Sequence, residues 1–398
     1  MKVGSSRDIM GTNKQFDGYE AFDYLDSGNY DTVEFDEPFS GFKPHPISLS
    51  TEEEDRLDEL TSETVISLHD HAFFFPKHVH DDIWTYIREG RVHTAYAELA
   101  ETPLDAVFDM QLDGLSGIHS KNGWKWDDIV HDVSMRACDL AHSDYATQCR
   151  SVEDIHRARE NGGLAVVQCL ESAAMIENEL DRIEQLYGMG VRSMGITYNA
   201  SNSLGTGGGD IYKRDGGLTA FGADAVDRMN TVGMAISTSH ASEQTTLDVC
   251  EVSDSPVFDT HALAKGAGAG GRGTSDEALR AIADTGGVIG ILSSTHLPSI
   301  ETYMDHFEYI ADLVGIDHVA FGPDVLYGDH TRLLEVLAEF HGVELSETTL
   351  KDEYVEGLEN PTEAWNNIPR WLVKNGYSDE QIAAVLGQNI LGALEEVW

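Results

Sequence analysis

The chain has 398 residues, 41% of them hydrophobic, and carries 70 acidic against 26 basic side chains for a formal net charge of −44. So acidic a surface repels phosphate backbones and anionic lipid, which argues against nucleic-acid and membrane partners. No apolar run approaches the roughly 18 to 20 residues of a membrane span, and the opening MKVGSSRDIMGTNKQFDGYEAF holds no signal-peptide core, so a soluble, cytoplasmic protein is expected.

The acidity predicts adaptation to a salt-rich cytoplasm, because molar salt screens self-repulsion beyond about 3 Å. Cys138, Cys149, Cys169 and Cys250 form neither a C-x-x-C pair nor a zinc-ribbon spacing and are expected to be reduced and structural.

Residues 1 to 45 are polar and acidic without a period, which predicts an irregular extension. Ser50-Thr51-Glu52-Glu53-Glu54 supplies a hydroxyl cap and acids for a first helical turn. Residues 1–60 are therefore expected to form an acidic extension and first helix, and 61–398 one large domain. Val65 to His71 is an apolar run ending in His69 and His71. On extended backbone these two share a face and Asp70 points away. Two imidazoles on one face make half a metal site; the alternative is a polar strand end whose histidines only hydrogen-bond. A second pair, His78 and His80, follows Pro76 in a polar context that reads as loop or helix start. A helical stretch over 81–100 leads to DAVFDMQLDG, a second strand. Then come the loop-like GLSGIHSKNGWKW and the helically spaced DDIVHDVSMRACDLAHSDYATQC, whose histidines read as surface residues.

From residue 161 the punctuation is regular. Glycine-containing or Pro-containing turns precede the apolar runs LAVVQCLES, VRSMGITYN, MAISTSH, VFDTH, VIGILSS and HVAFGPD, with helically spaced stretches between them. Alternating strand and helix predicts a parallel sheet. Eight strands are expected, at 65–71, 105–112, 164–171, 191–198, 234–240, 256–261, 287–293 and 318–324, which together predict a (β/α)₈ TIM-type barrel with a C-terminal helical segment. Such barrels carry their chemistry at the C-terminal strand ends. Here those ends are His69 and His71, Asp113, Glu171, Tyr198 and Asn199, His240, His261, Ser294 and Asp324. An open doubly wound sheet is the alternative, but it would gather its chemistry at one switch point.

Four histidines and two carboxylates at one barrel mouth match the ligands of one or two divalent metals. A metal pair generates a nucleophile at neutral pH and polarises a carbonyl, and a carboxylate outside the ligand set can move the proton. Hydrolysis of an amide or related bond follows. Neither SLGTGGGD (203–210) nor KGAGAGGRG (265–273) has the G-K-[ST] ending of a phosphate loop, and H-E-x-x-H and G-x-S-x-G are absent.

From about residue 64 onward these residues resemble the renal (membrane) dipeptidase type of metallopeptidase, a branch of the amidohydrolase-like metal barrels. The resemblance is carried by the histidine strand, Glu171, Gly217-Leu218-Thr219-Ala220-Phe221 before Gly222, Ser239-His240-Ala241-Ser242, Thr260-His261, Arg272, Phe321-Gly322-Pro323-Asp324 and the closing GYSDEQIAAVLGQNIL. It implies two divalent ions, zinc by donor type. His69 and the residue at 71 would hold one, His240 and His261 the other, and Glu171 would bridge them. Asp324 would transfer the proton, and Arg272 would grip the substrate's free carboxylate. Two positions depart from the family pattern. Position 71 is His where the family usually has Asp, and Tyr198 stands where animal members carry His. The Tyr198 hydroxyl would either donate to an oxyanion or cap the core, with Asn199 beside it toward the substrate. The expectation is hydrolysis of a small amide, foremost a dipeptide, with homo-oligomerisation open. The alternatives are a wider-group hydrolase of cyclic amides, lactones or N-acyl amino acids, and a non-catalytic metal-binding barrel.

Overall fold

A computed structural model describes residues 14–26, 28–30, 32–37, 43–60, 63–89, 91–111, 125–209, 214–270, 273–341 and 354–398. Its strands are β1 (Ile66–Asp70), β2 (Ala106–Met110), β3 (Ala146–Gln148), β4 (Leu164–Leu170), β5 (Val191–Gly195), β6 (Ala235–Ser237), β7 (Val257–Ala262), β8 (Ile289–Ile291) and β9 (Val319–Phe321). The sheet runs β1-β2-β4-β5-β6-β7-β8-β9, with every pairing parallel and β3 attached to β4 beside this path. First and last strands meet. Asp324 donates its backbone N–H to His69 O (3.0 Å), and His71 donates to Val325 O (3.1 Å). The eight-stranded path thus closes on itself as a TIM-type barrel, and the open-sheet alternative falls.

Two local expectations need correction. The helical spacing of DDIVHDVSMRACDLAHSDYATQC predicts helix through Ala146–Gln148, but the helix Trp126–Leu140 ends before it and a short strand follows. Ser143 turns the chain there, its hydroxyl accepting from the backbone N–H of Tyr145 and Ala146, and three residues are too few to display a period of two. Several strands also stop earlier than their apolar runs. Asn199, His240 and Asp324 lie beyond β5, β6 and β9 with φ of 49°, 62° and 58°. Left-handed backbone at non-glycine residues costs on the order of 1–3 kcal/mol each and gathers at functional sites.

Hydrophobic burial places the barrel interior. Ile66, Leu68, Phe108, Val167, Phe258 and Ala320 fill it together with Ile390 and Leu394 of the final helix, Asn389–Val397. Two glycines let the strands draw together near the mouth. A Cβ on Gly195 would collide with the carbonyl of Glu171, and one on Gly322 with the carbonyl of Thr260. The described part of the N-terminal segment lies against the barrel. Lys14 pairs with Asp105 (3.1 Å), Phe22 is buried, and Ser50 and Glu53 cap the helix Thr51–Leu60 reciprocally. Among the described residues no helix is long and apolar enough to cross a membrane.

Candidate metal centre

The strand ends bring six expected side chains together. His69 Nε2 lies 4.0 Å from Glu171 Oε2 and 3.4 Å from Asp324 Oδ1, and His71 Nε2 lies 3.4 Å from the same Asp324 oxygen. On the other side His240 Nε2 is 3.4 Å from Glu171 Oε2, and His261 Nε2 is 3.8 Å from Asp324 Oδ2. Three ligand sets result, each with its atoms within 4.8 Å of one another: His69, His71 and Glu171; Glu171, His240 and His261; and His69, His261 and Asp324. The first two share Glu171.

Hydrogen bonds behind the rings orient them. Nδ1 of His71 donates to Met110 O (2.9 Å), Nδ1 of His240 to Asn199 Oδ1 (3.1 Å), and Nδ1 of His69 contacts Thr260 Oγ1 (2.9 Å). An imidazole that donates through Nδ1 keeps its Nε2 lone pair for an ion. His240 Nε2 and His261 Nε2 approach to 2.9 Å. Two lone pairs face each other at that distance only with a proton or cation between or beside them, and the nitrogen and oxygen donors around them are a set that fits a divalent ion.

Electrostatics point the same way. Burial alone would raise the Asp324 carboxyl, yet the charges and hydrogen bonds of His69, His71 and His261 hold it well below the usual carboxylate range. Burial opposes charge on His71, but Asp324 and Glu171 outweigh it and lift the imidazole to about 9. Asp70, on the opposite face of β1, is pushed up by burial to about 7 against bonds from Ser67 Oγ (2.6 Å), Trp365 Nε1 (2.7 Å) and Val325 N (3.0 Å). It ties the segment holding Asp324 to β1. A lone Asp inside an apolar strand was the available signal for that role.

The other expected residues divide. Tyr198 tilts over His240 with ring centroids 4.2 Å apart. Asn199 supports His240 and also lines a cavity of about 630 Å³ that opens beside His240 and His261 and includes Arg214, Glu243 and Lys265. Arg272 and Asp113 lie outside the described residues. His78 and His80 are exposed around the start of the helix Val79–Glu89, His78 near Glu34 (3.7 Å) and His80 on Glu339 (3.0 Å). Replacing both with Ala is therefore expected to leave metal content and turnover near wild type, whereas His71→Ala should lose metal and activity. Metal analysis of the two variants checks this, and the reverse pattern would move the ion to the surface pair.

A family model described as membrane dipeptidase (peptidase family M19) matches residues 131–339, just over half of the chain. The chain belongs to the membrane dipeptidase family. An uncharacterised protein in the pqqA 5′ region of Klebsiella pneumoniae is 31% identical over 266 residues, covering 63% of this chain and 88% of that protein. Among solved structures, an amidohydrolase from Pseudomonas aeruginosa superposes with a TM-score of 0.69 at 25% identity, across 86% of this chain and 99% of that one. A metallopeptidase from Rhodobacter sphaeroides, liganded with a phosphinate mimic of the dipeptide L-Ala-D-Ala, superposes at 0.64 with 18% identity, across 84% and 99%. As a family member the protein is a metal-dependent, dipeptidase-like hydrolase on a TIM-type barrel. Glu171, His240, His261 and Asp324 fall inside the matched segment, and His69 and His71 precede it.

Proposed function

We propose that this chain cleaves dipeptides bearing a free C-terminal carboxylate, using two zinc ions. One observation carries the metal reading: Glu171 belongs at once to a ligand set with His69 and His71 and to one with His240 and His261. His69 and His71 would hold one ion, His240 and His261 the other, and Glu171 both. When bound, the ions supply Lewis acidity that polarises the scissile carbonyl and brings the pKa of water toward neutrality. Asp324 stays ionised among its histidines, accepts a proton from the attacking water and returns it to the leaving amine. Tyr198, beside His240, would donate its hydroxyl toward the developing oxyanion. Asn199 would border the substrate while steadying His240.

Arg272 is assigned the terminal carboxylate, because a guanidinium offers a planar, bidentate match to it. Free dipeptides should be cleaved and their C-terminal amides hardly at all. Breaking a buried charge pair costs about 2–5 kcal/mol, or roughly 30-fold upward in specificity. Steady-state rates on matched pairs test this. Equal rates, or faster turnover of lactones and cyclic amides, would favour the wider-group hydrolase instead. The supporting observations are the family's dipeptidase character and the neighbour liganded with a dipeptide mimic.

The net charge of −44 supports a salt-rich cytoplasm as the working environment. Circular dichroism should show the fold weakening as KCl is diluted from molar to millimolar, and full stability in dilute buffer would count against that setting.

A further inference from the structure

Behind His69 runs a line of buried hydroxyls that ends on a carboxylate. His69 Nδ1 lies 2.9 Å from Thr260 Oγ1, Thr260 Oγ1 lies 3.0 Å from Ser239 Oγ, and Ser239 donates to Asp259 Oδ1 at 2.7 Å. Thr274 donates to the other Asp259 oxygen at 3.2 Å. His69, Thr260, Ser239 and Asp259 are each 6% exposed or less. Among the described residues Asp259 belongs to none of the ligand sets.

The direction of this line follows from its far end. Both Asp259 oxygens accept, one from Ser239 and the other from Thr274, so the single hydroxyl proton of Ser239 is committed to Asp259. Ser239 can then only accept from Thr260. Were Thr260 to give its proton to His69 instead, two oxygen lone pairs would face each other across 3.0 Å. Thr260 Oγ1 also lies 3.3 Å from Ser237 Oγ, and the arrangement that satisfies every contact has His69 Nδ1–H and the Ser237 hydroxyl both donating to Thr260, and Thr260 donating to Ser239. That leaves the Nε2 lone pair of His69 directed into the metal centre.

We propose that Asp259, acting through Ser239 and Thr260, is a positioning residue that fixes the tautomer of His69 and strengthens it as a ligand. The inference rests on the metal reading above. Carboxylate partners of ligand histidines commonly contribute 10- to 100-fold in metal affinity; here two hydroxyls lie between the carboxylate and the ring. The pattern is readable in the chain once the fold is known: Ser239-His240 follow the end of β6 and Asp259-Thr260-His261 lie within β7, so relay groups sit beside a candidate ligand on each.

The test uses the full-length protein loaded with zinc, with each ion's affinity read by chelator competition. Thr260→Val and Ser239→Ala should each weaken one ion by about 10- to 100-fold and leave the other within about threefold. The double variant should be no worse than Thr260→Val alone, because the two residues lie on one path. Thr260→Ser, which restores the hydroxyl, should return near wild-type affinity. Asp259→Asn should weaken the same ion, and ¹⁵N shifts of labelled histidine should show His69 losing its uniform Nδ1–H form. Wild-type affinity in Ser239→Ala and Asp259→Asn would end the relay at Thr260 and overturn the proposal. So would equal weakening of both ions. A wild-type protein that takes up no zinc would overturn the metal reading and this inference with it.

Discussion

Glu171→Gln is expected to empty both metal positions together and to lower turnover by roughly 10³-fold, since Lewis-acid stabilisation is worth several kcal/mol and each 1.36 kcal/mol is a factor of ten. The substitution keeps size and shape. It removes the negative charge whose Oε2 lies 3.4 Å from His240 Nε2 and 4.0 Å from His69 Nε2, and it turns one of the two carboxylate oxygens into an N–H donor. Because Glu171 is shared by two ligand sets, loss at one position should appear at the other. Metal analysis per chain, with a melting curve to establish that the barrel is intact, checks the result. Two ions retained in a folded variant would remove Glu171 from the bridging role, and loss of one ion would assign it to a single position.

Much of this centre was legible because a barrel converts sequence order into spatial convergence. Apolar runs ending in His69 and His71, Glu171, His240, His261 and Asp324 were readable as strand ends, and parallel closure brings such ends together. The supporting layer was less legible. Asn199 behind His240, Thr260 behind His69 and Asp70 beneath Val325 are ordinary polar residues in the chain, and their partners lie 41, 191 and 255 positions away. The left-handed backbone at Asn199, His240 and Asp324 was hidden for a different reason. The apolar pattern runs into these residues unbroken, so it reports burial and not the turn that aims the side chain. β3 escaped because three residues show no alternation. The assignment of Arg272 rests on resemblance alone, since it lies outside the described residues.

Asp324→Asn separates two roles that the geometry permits for one carboxylate. Asp324 Oδ1 stands 3.4 Å from both His69 Nε2 and His71 Nε2, close enough to serve a water held there, but the residue also completes a ligand set with His69 and His261. Asparagine accepts left-handed backbone about as readily as aspartate, so the φ of 58° should survive, as should the bond from the residue's N–H to His69 O. What is lost is a group that can take up and return a proton. If Asp324 is the proton carrier, both ions should remain, KM should change little, and kcat should fall by roughly 10²-fold or more. The pH profile adds a sign. Its histidine neighbours hold the wild-type carboxyl well below the usual carboxylate range, so the basic form is present throughout the neutral region and is lost only in acid. Bound cations would act in the same direction as those histidines. The acid limb that this group contributes to kcat should therefore disappear in the variant, while any limb set by His69, His71, His240 and His261 persists. Loss of one ion from a folded Asp324→Asn protein would make Asp324 a ligand and send the search for the proton carrier to the cavity side of His240 and His261.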